Sequence, residues 1–280
     1  MDCGLQAATT RRPPLIGIHV GINRRIALIT GGGTGIGAAC ARQFAAVGAR
    51  VALVGRRRAA LEAIASECGA FPIVADASEA DQMGAAINLI SERWGDLDVL
   101  IANAGGHHPG AALDTTEDDW TRARRENLDT AFVAARTALP SLLRSRGAIV
   151  FVSSIAGLVA GPEVCGYTTF KHAVIGLTRS LARDYGPLGL RVNAVCPGWV
   201  RTPMADEEMQ PLMRRHGLTL DGAYALVTKD VPLRRAAQPE EIASICRFLA
   251  CEESSIITGA VIVADGGSTV VDVPTLEFAR

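Results

Sequence analysis

The residues best suited to chemistry fall in one stretch, Gly147 to Lys171, GAIVFVSSIAGLVAGPEVCGYTTFK. A short β-branched apolar run, Ala148 to Val152, reads as a buried parallel strand with Ser153 and Ser154 at its carboxyl end. A loop bearing Gly and Pro then leads to Tyr167, and Lys171 follows four residues later. If Tyr167 opens a helix, that spacing puts phenol and ammonium on one face, about one turn apart. A free tyrosine, with a pKa of about 10, is a poor base at neutral pH. A cation beside it favours the phenolate and lowers that value. Ser154 can then hold a substrate oxygen while Tyr167 gives or takes its proton. The expected chemistry is proton transfer at an alcohol or carbonyl. Tyr-x-x-x-Lys alone also describes an ordinary exposed helix face, so its surroundings decide what it means.

Those surroundings alternate between strand and helix. Strand candidates are Ile26–Thr30, Val51–Gly55, Pro72–Ala75, Val99–Ala102, Ala148–Val152, Val192–Val195 and Val261–Ala264. Between them lie helix-length segments, among them Gly35–Val47, Arg57–Cys68, Ser78–Arg93 and Thr116–Leu143. This order predicts right-handed βαβ crossovers and one doubly wound α/β domain, a seven-stranded parallel sheet with helices on both faces. No repeat, low-complexity block or change of composition suggests a second domain. The expected organisation is a loose extension over 1–24 and a catalytic domain over 25–280.

The first strand runs into Thr30-Gly31-Gly32-Gly33-Thr34-Gly35-Ile36-Gly37 and then a helix. Glycines there let the backbone approach a pyrophosphate, and the helix amino terminus meets its charge. With this turn present and Ser154 standing thirteen residues before Tyr167, the sequence resembles the short-chain dehydrogenase/reductase family, in its single-domain Rossmann-fold branch. The resemblance spans Arg25 to Gly267. It implies an NAD(P)(H)-dependent oxidoreductase that interconverts a secondary alcohol and a ketone by hydride transfer.

By that resemblance Tyr167 is the general acid/base, Lys171 lowers its pKa and binds the nicotinamide ribose, and Ser154 polarises the carbonyl. Ser153 is the neighbouring alternative, but its spacing to Tyr167 is one residue too long. Asn127, twenty-seven residues before Ser154, matches the family's catalytic asparagine and its proton relay; the bland alternative is a satisfied polar residue at a helix kink. The turn from Thr30 to Gly37, with Gly31, Gly33, Thr34, Gly35 and Ile36, matches the family's T-G-x-x-x-G-x-G. Asp76 and Ala77 match its adenine-contacting position, although helix capping is an equal use for that segment, through Ser78. Ala102-Asn103-Ala104-Gly105 resembles the family's N-N-A-G with the first Asn replaced. Pro197, Gly198, Val200 and Thr202 follow the sixth strand, Thr202 where the family binds the carboxamide.

Cofactor choice is read at the end of the second strand. Enzymes that prefer NAD place Asp or Glu there for the ribose 2′-hydroxyl. This chain has Gly55 followed by Arg56, Arg57 and Arg58. A 2′-phosphate is then not repelled and can pair with Arg56, so NADP(H) is expected, with NAD(H) possible. One mark is missing, because the family's NADP users often carry a basic residue where Thr34 stands.

Met204 to Arg235, with a short helix at Leu220–Thr228, is read as the substrate-covering insertion (204–235). Its apolar and cationic members leave the substrate open. His107 and His108 invite a metal, but no cluster of ligand spacing accompanies them, and they are expected at the pocket rim with no metal. Cys165 is read as a small packing residue near that pocket.

The 280 residues are 49% hydrophobic and 20% charged, enough for a sizeable core. A net charge of −1 gives no electrostatic reason to expect nucleic acid. No apolar run is long enough to span a bilayer. Seven scattered cysteines without C-x-x-C suggest reduced thiols and a cytoplasmic protein. Thr10-Arg11-Arg12 before Leu15–Ile22 superficially resembles a twin-arginine signal, but the apolar part is short and has no cleavage-like spacer. The family implies a homo-oligomer, a tetramer. The rival reading is a dinucleotide-binding redox sensor or scaffold without turnover. Extended epimerases and dehydratases carry a larger substrate domain, and enoyl reductases space their tyrosine and lysine more widely.

Overall fold

The computed structural model describes residues 22–279. The seven strands are β1 (Ile26–Thr30), β2 (Arg50–Gly55), β3 (Phe71–Val74), β4 (Val99–Ala102), β5 (Ala148–Val152), β6 (Arg191–Pro197) and β7 (Val261–Ala264). They form one parallel sheet in the order β3-β2-β1-β4-β5-β6-β7. The central strands β1, β4 and β5 are buried along their whole length, which is why they read as continuous apolar runs.

Period-two alternation divides those runs between two layers. Ile26 and Leu28 of β1 point to one core with α3 (Ala80–Trp94), α5 (Thr130–Ser145) and α6 (Cys165–Tyr185). Ala27 and Ile29 point to the other, with α1 (Gly35–Ala46), α2 (Arg58–Cys68) and α9 (Pro239–Ala250). Strand order reverses at β1, whose neighbours are β2 and β4, so a crevice opens beyond the carboxyl ends of β1 and β4.

Besides shifts of one or two residues at several element ends, the structure differs from the sequence reading in four places. Ile22 is only 4% exposed and packs into the α1–α9 core, so the ordered body reaches back to residue 22 at least; residues 1–21 of the expected extension lie outside the described residues. The long helix Thr116–Leu143 is α4 (Glu117–Arg124), a π-helical turn (Arg125–Asp129) and α5. α3 begins at Ala80, two residues late, because Asp76 accepts from the Ser78 N–H and hydroxyl and draws that segment into a turn.

The insertion holds two helices, α7 (Pro203–His216) and α8 (Leu220–Val227). Thr202 caps α7 by accepting from the Ala205 N–H, Pro203 occupies its first turn, and Gly217 ends it in the left-handed region. Ala205, Met209 and Tyr224 form a small core of their own beneath Trp199 and Leu212. The Tyr224 hydroxyl donates to Asp206, 2.7 Å away, and joins the two helices.

Candidate active site

The glycine turn leaves β1 at the crevice. Asn103 fastens it to β4, donating through Nδ2 to the carbonyls of Thr30 and Gly31, while the Thr30 hydroxyl accepts from the Asn103 and Ala104 N–H groups. The packing is close. A Cβ added at Gly37 would strike the Gly31 carbonyl and lie 2.7 Å from Asn103 Nδ2. One at Gly35, where φ is +53°, would lie 3.0 Å from the Thr202 methyl. Thus the turn, Asn103, Ala104 and Thr202 lie together at the crevice. Val200 turns its side chain into the core, and main-chain bonds tie Trp199 and Arg201 to Ala237.

These residues fit a dinucleotide. Thr34 makes no side-chain capping bond to α1, whose first turn holds no acidic residue, so its N–H groups remain for an anion. Asp76 is held below the usual carboxylate range: burial raises it, but the Ser78 hydrogen bonds and the Arg125 guanidinium more than offset that. The Arg125 contact was not foreseen, nor were two contacts of the arginine run. Arg56 pairs with Glu126 at 3.2 Å, and Arg57 donates to the Thr34 hydroxyl at 3.3 Å.

On the other side of β4, the α4–α5 helix breaks at Asn127. The π turn buries this side chain, which donates to the Ala123 carbonyl at 3.1 Å and accepts from the Gly106 N–H at 3.4 Å. Gly105 separates it from the lysine: a Cβ there would be 3.3 Å from Asn127 Oδ1 and 3.4 Å from Lys171 Nζ. Lys171 is buried, and its Nζ donates to the Val152 carbonyl at 3.3 Å.

Tyr167 lies in the first turn of α6, and Lys171 Nζ is 5.5 Å from its ring centroid. Ser154 faces the phenol, and its Oγ also accepts from the Ala156 N–H. Ser153 instead is buried and donates to the Lys171 carbonyl at 3.0 Å, pinning β5 to α6. Cys165, two residues before Tyr167, lines a separate cavity of about 310 Å³ with Trp120, Thr115, Thr116, Glu117 and Ala112.

Burial shifts both groups of the pair. Burial pushes the Tyr167 phenol up to about 12, and the Ser154 contact only partly opposes it. Burial also pushes the Lys171 ammonium down to about 8. Desolvation thus favours the neutral form of each group.

Each of the paired histidines faces its own carboxylate. His108 Nε2 is 3.0 Å from Glu126, and His107 Nδ1 is 3.4 Å from Glu208 on α7. The His107 ring stands 5.9 Å from that of Tyr167, centroid to centroid. Glu208, its carboxyl raised to about 7 by burial, was missed because a lone glutamate in the charged part of the insertion carries no motif. Among the described residues no group of three or more His, Cys, Asp or Glu is arranged to hold a metal ion, and no helix is long and apolar enough to cross a membrane.

A family model described as enoyl-(acyl carrier protein) reductase matches residues 31–269. Protein MoaE of Klebsiella aerogenes is 51% identical over 257 residues, covering 91% of this chain and 99% of its own length. Meso-2,3-butanediol dehydrogenase of Serratia marcescens is 36% identical over 253 residues, 89% of this chain and 96% of that protein. A solved variant of actinorhodin polyketide ketoreductase with NADPH matches with a TM-score of 0.83 at 29% identity, over 87% of this chain and 97% of that one.

Proposed function

The chain belongs to the short-chain dehydrogenase/reductase family of oxidoreductases, and from that premise we propose that it interconverts a secondary alcohol and a ketone, with NADP(H) preferred. The observation that carries this reading is the meeting of Ser154, Tyr167 and Lys171 beside the glycine turn.

In the reducing direction Ser154 donates a hydrogen bond to the carbonyl oxygen and orients it. Tyr167 gives its proton to that oxygen as negative charge develops there. The Lys171 ammonium stabilises the phenolate left behind. Asn127, across Gly105 from Lys171, helps return a proton to the pair. In the oxidising direction the phenolate form of Tyr167 takes the hydroxyl proton instead, a form that burial disfavours. When bound, the nicotinamide supplies or accepts the hydride at the carbon. The residues that would hold it are the Thr30–Gly37 turn, Asp76, Ala77, Asn103 to Gly105, Pro197, Gly198, Val200 and Thr202.

Two features support NADP(H). No carboxylate stands at Gly55, and the guanidinium of Arg57 reaches Thr34, the position where a basic side chain was expected and missing. A 2′-phosphate would draw on Arg57 and compete with Glu126 for Arg56. The NADPH bound to the related ketoreductase is in keeping with this.

The test is a fluorescence titration of the purified protein with NADPH and NADH, followed by a screen of ketones for loss of reduced nicotinamide. Tighter NADPH binding and ketone reduction are expected. Tighter NADH would overturn the cofactor assignment, and binding without turnover of any ketone or alcohol would leave only the sensor or scaffold.

A further inference from the structure

Glu208 has no part in the scheme above, yet it faces the reacting end of the site. It projects from α7 with 18% of its side chain exposed and approaches His107 Nδ1 to 3.4 Å. His107, on the segment after β4, sets its ring against Tyr167. The carboxylate is near enough to the phenol for its charge to oppose phenolate formation. Three segments thus form one wall beside the acid/base: the β4 loop, the start of α6 and the lid helix.

That wall is short of hydrogen-bond donors. Carboxylates elsewhere in the protein have a strong donor: Arg56 for Glu126, Arg125 for Asp76, Arg201 for Asp221 and the Tyr224 hydroxyl for Asp206. Among the described residues the ion-pair partner of Glu208 is an imidazole, which burial and the charge of His108 hold below its ordinary pKa. An uncharged ring offers at most one N–H, and a carboxylate has acceptor sites for about four. Burial without those donors destabilises the ionised form, as the raised carboxyl of Glu208 reflects.

Resting on the alcohol–ketone reading, we infer that Glu208 and His107 form a specificity site for substrates that carry a second hydrogen-bond donor, a hydroxyl or an ammonium, near the reacting carbon. Such a group supplies what the carboxylate lacks, and an analogue without it leaves Glu208 unpaired as the lid covers the site. Polar sites reject a missing donor far more strongly than apolar pockets reject an extra one.

The test compares wild type with Glu208→Gln on 2-butanone, hydroxyacetone and aminoacetone, which differ only in carrying CH3, OH or NH3+ on one carbon, in NADPH-dependent reduction. The expected result is a preference in kcat/KM of at least about tenfold for one of the two donors over 2-butanone, shrinking about tenfold in the variant. A preference for hydroxyacetone identifies a neutral donor, and one for aminoacetone identifies a cation. No preference in wild type, or a parallel loss on all three in Glu208→Gln, makes the Glu208–His107 contact a lid clasp and overturns the inference. If none of the three is reduced, the reaction assignment has failed for this class, and ligand-observed NMR of the same compounds decides the site separately. Donor-selective binding lost in the variant then supports it, and equal binding overturns it.

Discussion

The Lys171 ammonium lies 5.5 Å from the centroid of the Tyr167 ring, and the two groups are displaced in opposite directions, each towards its neutral form. The phenol, at about 12, keeps its proton through the working range, so the pH dependence of carbonyl reduction is set by the cation that must stabilise its conjugate base. Lys171, lowered to about 8, is charged below that pH and neutral above it. Ketone-reduction kcat/KM is therefore expected to fall above about pH 8, by roughly tenfold per unit. A profile that stays flat to about pH 10 would remove Lys171 from that role.

Arg57 makes a separate prediction. Its 3.3 Å bond to the Thr34 hydroxyl puts a guanidinium at the mouth of the glycine turn. A charge-assisted bond to phosphate contributes about 1.5–3 kcal/mol. Arg57→Ala should therefore weaken NADPH binding by about tenfold or more and NADH binding by under about threefold. Equal losses for both cofactors would mean that Arg57 only braces the turn.

The buried carboxyl of Glu208 predicts a pH-dependent change in stability. Its folded pKa of about 7 lies above the unfolded value of 4.5, so between those values the folded chain binds the extra proton and stability declines as pH rises. Above about 7 the ionised group is a net cost of about 1–3 kcal/mol, its side chain being 18% exposed. The melting temperature of Glu208→Gln relative to wild type should thus increase between pH 5 and 8, on the order of several degrees. A constant difference across that range would contradict the assigned burial.

Gly37 tests the cradle. A methyl there meets the Gly31 carbonyl and the Asn103 amide, so neither neighbour can yield without opening the bonds that fasten the turn to β4. Gly37→Ala should lower stability by about 2 kcal/mol or more and weaken both dinucleotides alike. Unchanged melting and binding would show that the turn adapts.

The fold was legible because central parallel strands bury both faces and advertise themselves as β-branched runs. Ala148–Val152 and Val99–Ala102 are found in the structure with the bounds that their composition predicts. Ser154, Tyr167 and Lys171 were legible because their spacing is local, one loop and one helical turn. The partners of Arg56, His107 and His108 were not, since Glu126 and Glu208 stand on other elements, and only the assembled fold brings them together. Helix α7 was hidden by Pro211 and a run of charges, although Thr202-Pro203 and Gly217 mark both its ends. The upward shift at Tyr167 needed the structure as well, because spacing announces a nearby cation but says nothing of burial.

The central claim is that the Tyr167 phenol supplies the proton, and the measurement that addresses it is turnover of Tyr167→Phe with NADPH and a reducible ketone, alongside NADPH binding to the same variant. Loss of the hydroxyl should lower kcat by about 10²–10⁴-fold while the dissociation constant for NADPH stays within about threefold of wild type, since the ring and the glycine turn remain. Near-normal turnover in Tyr167→Phe would contradict the account, because the proton would then have to come from another group in the site.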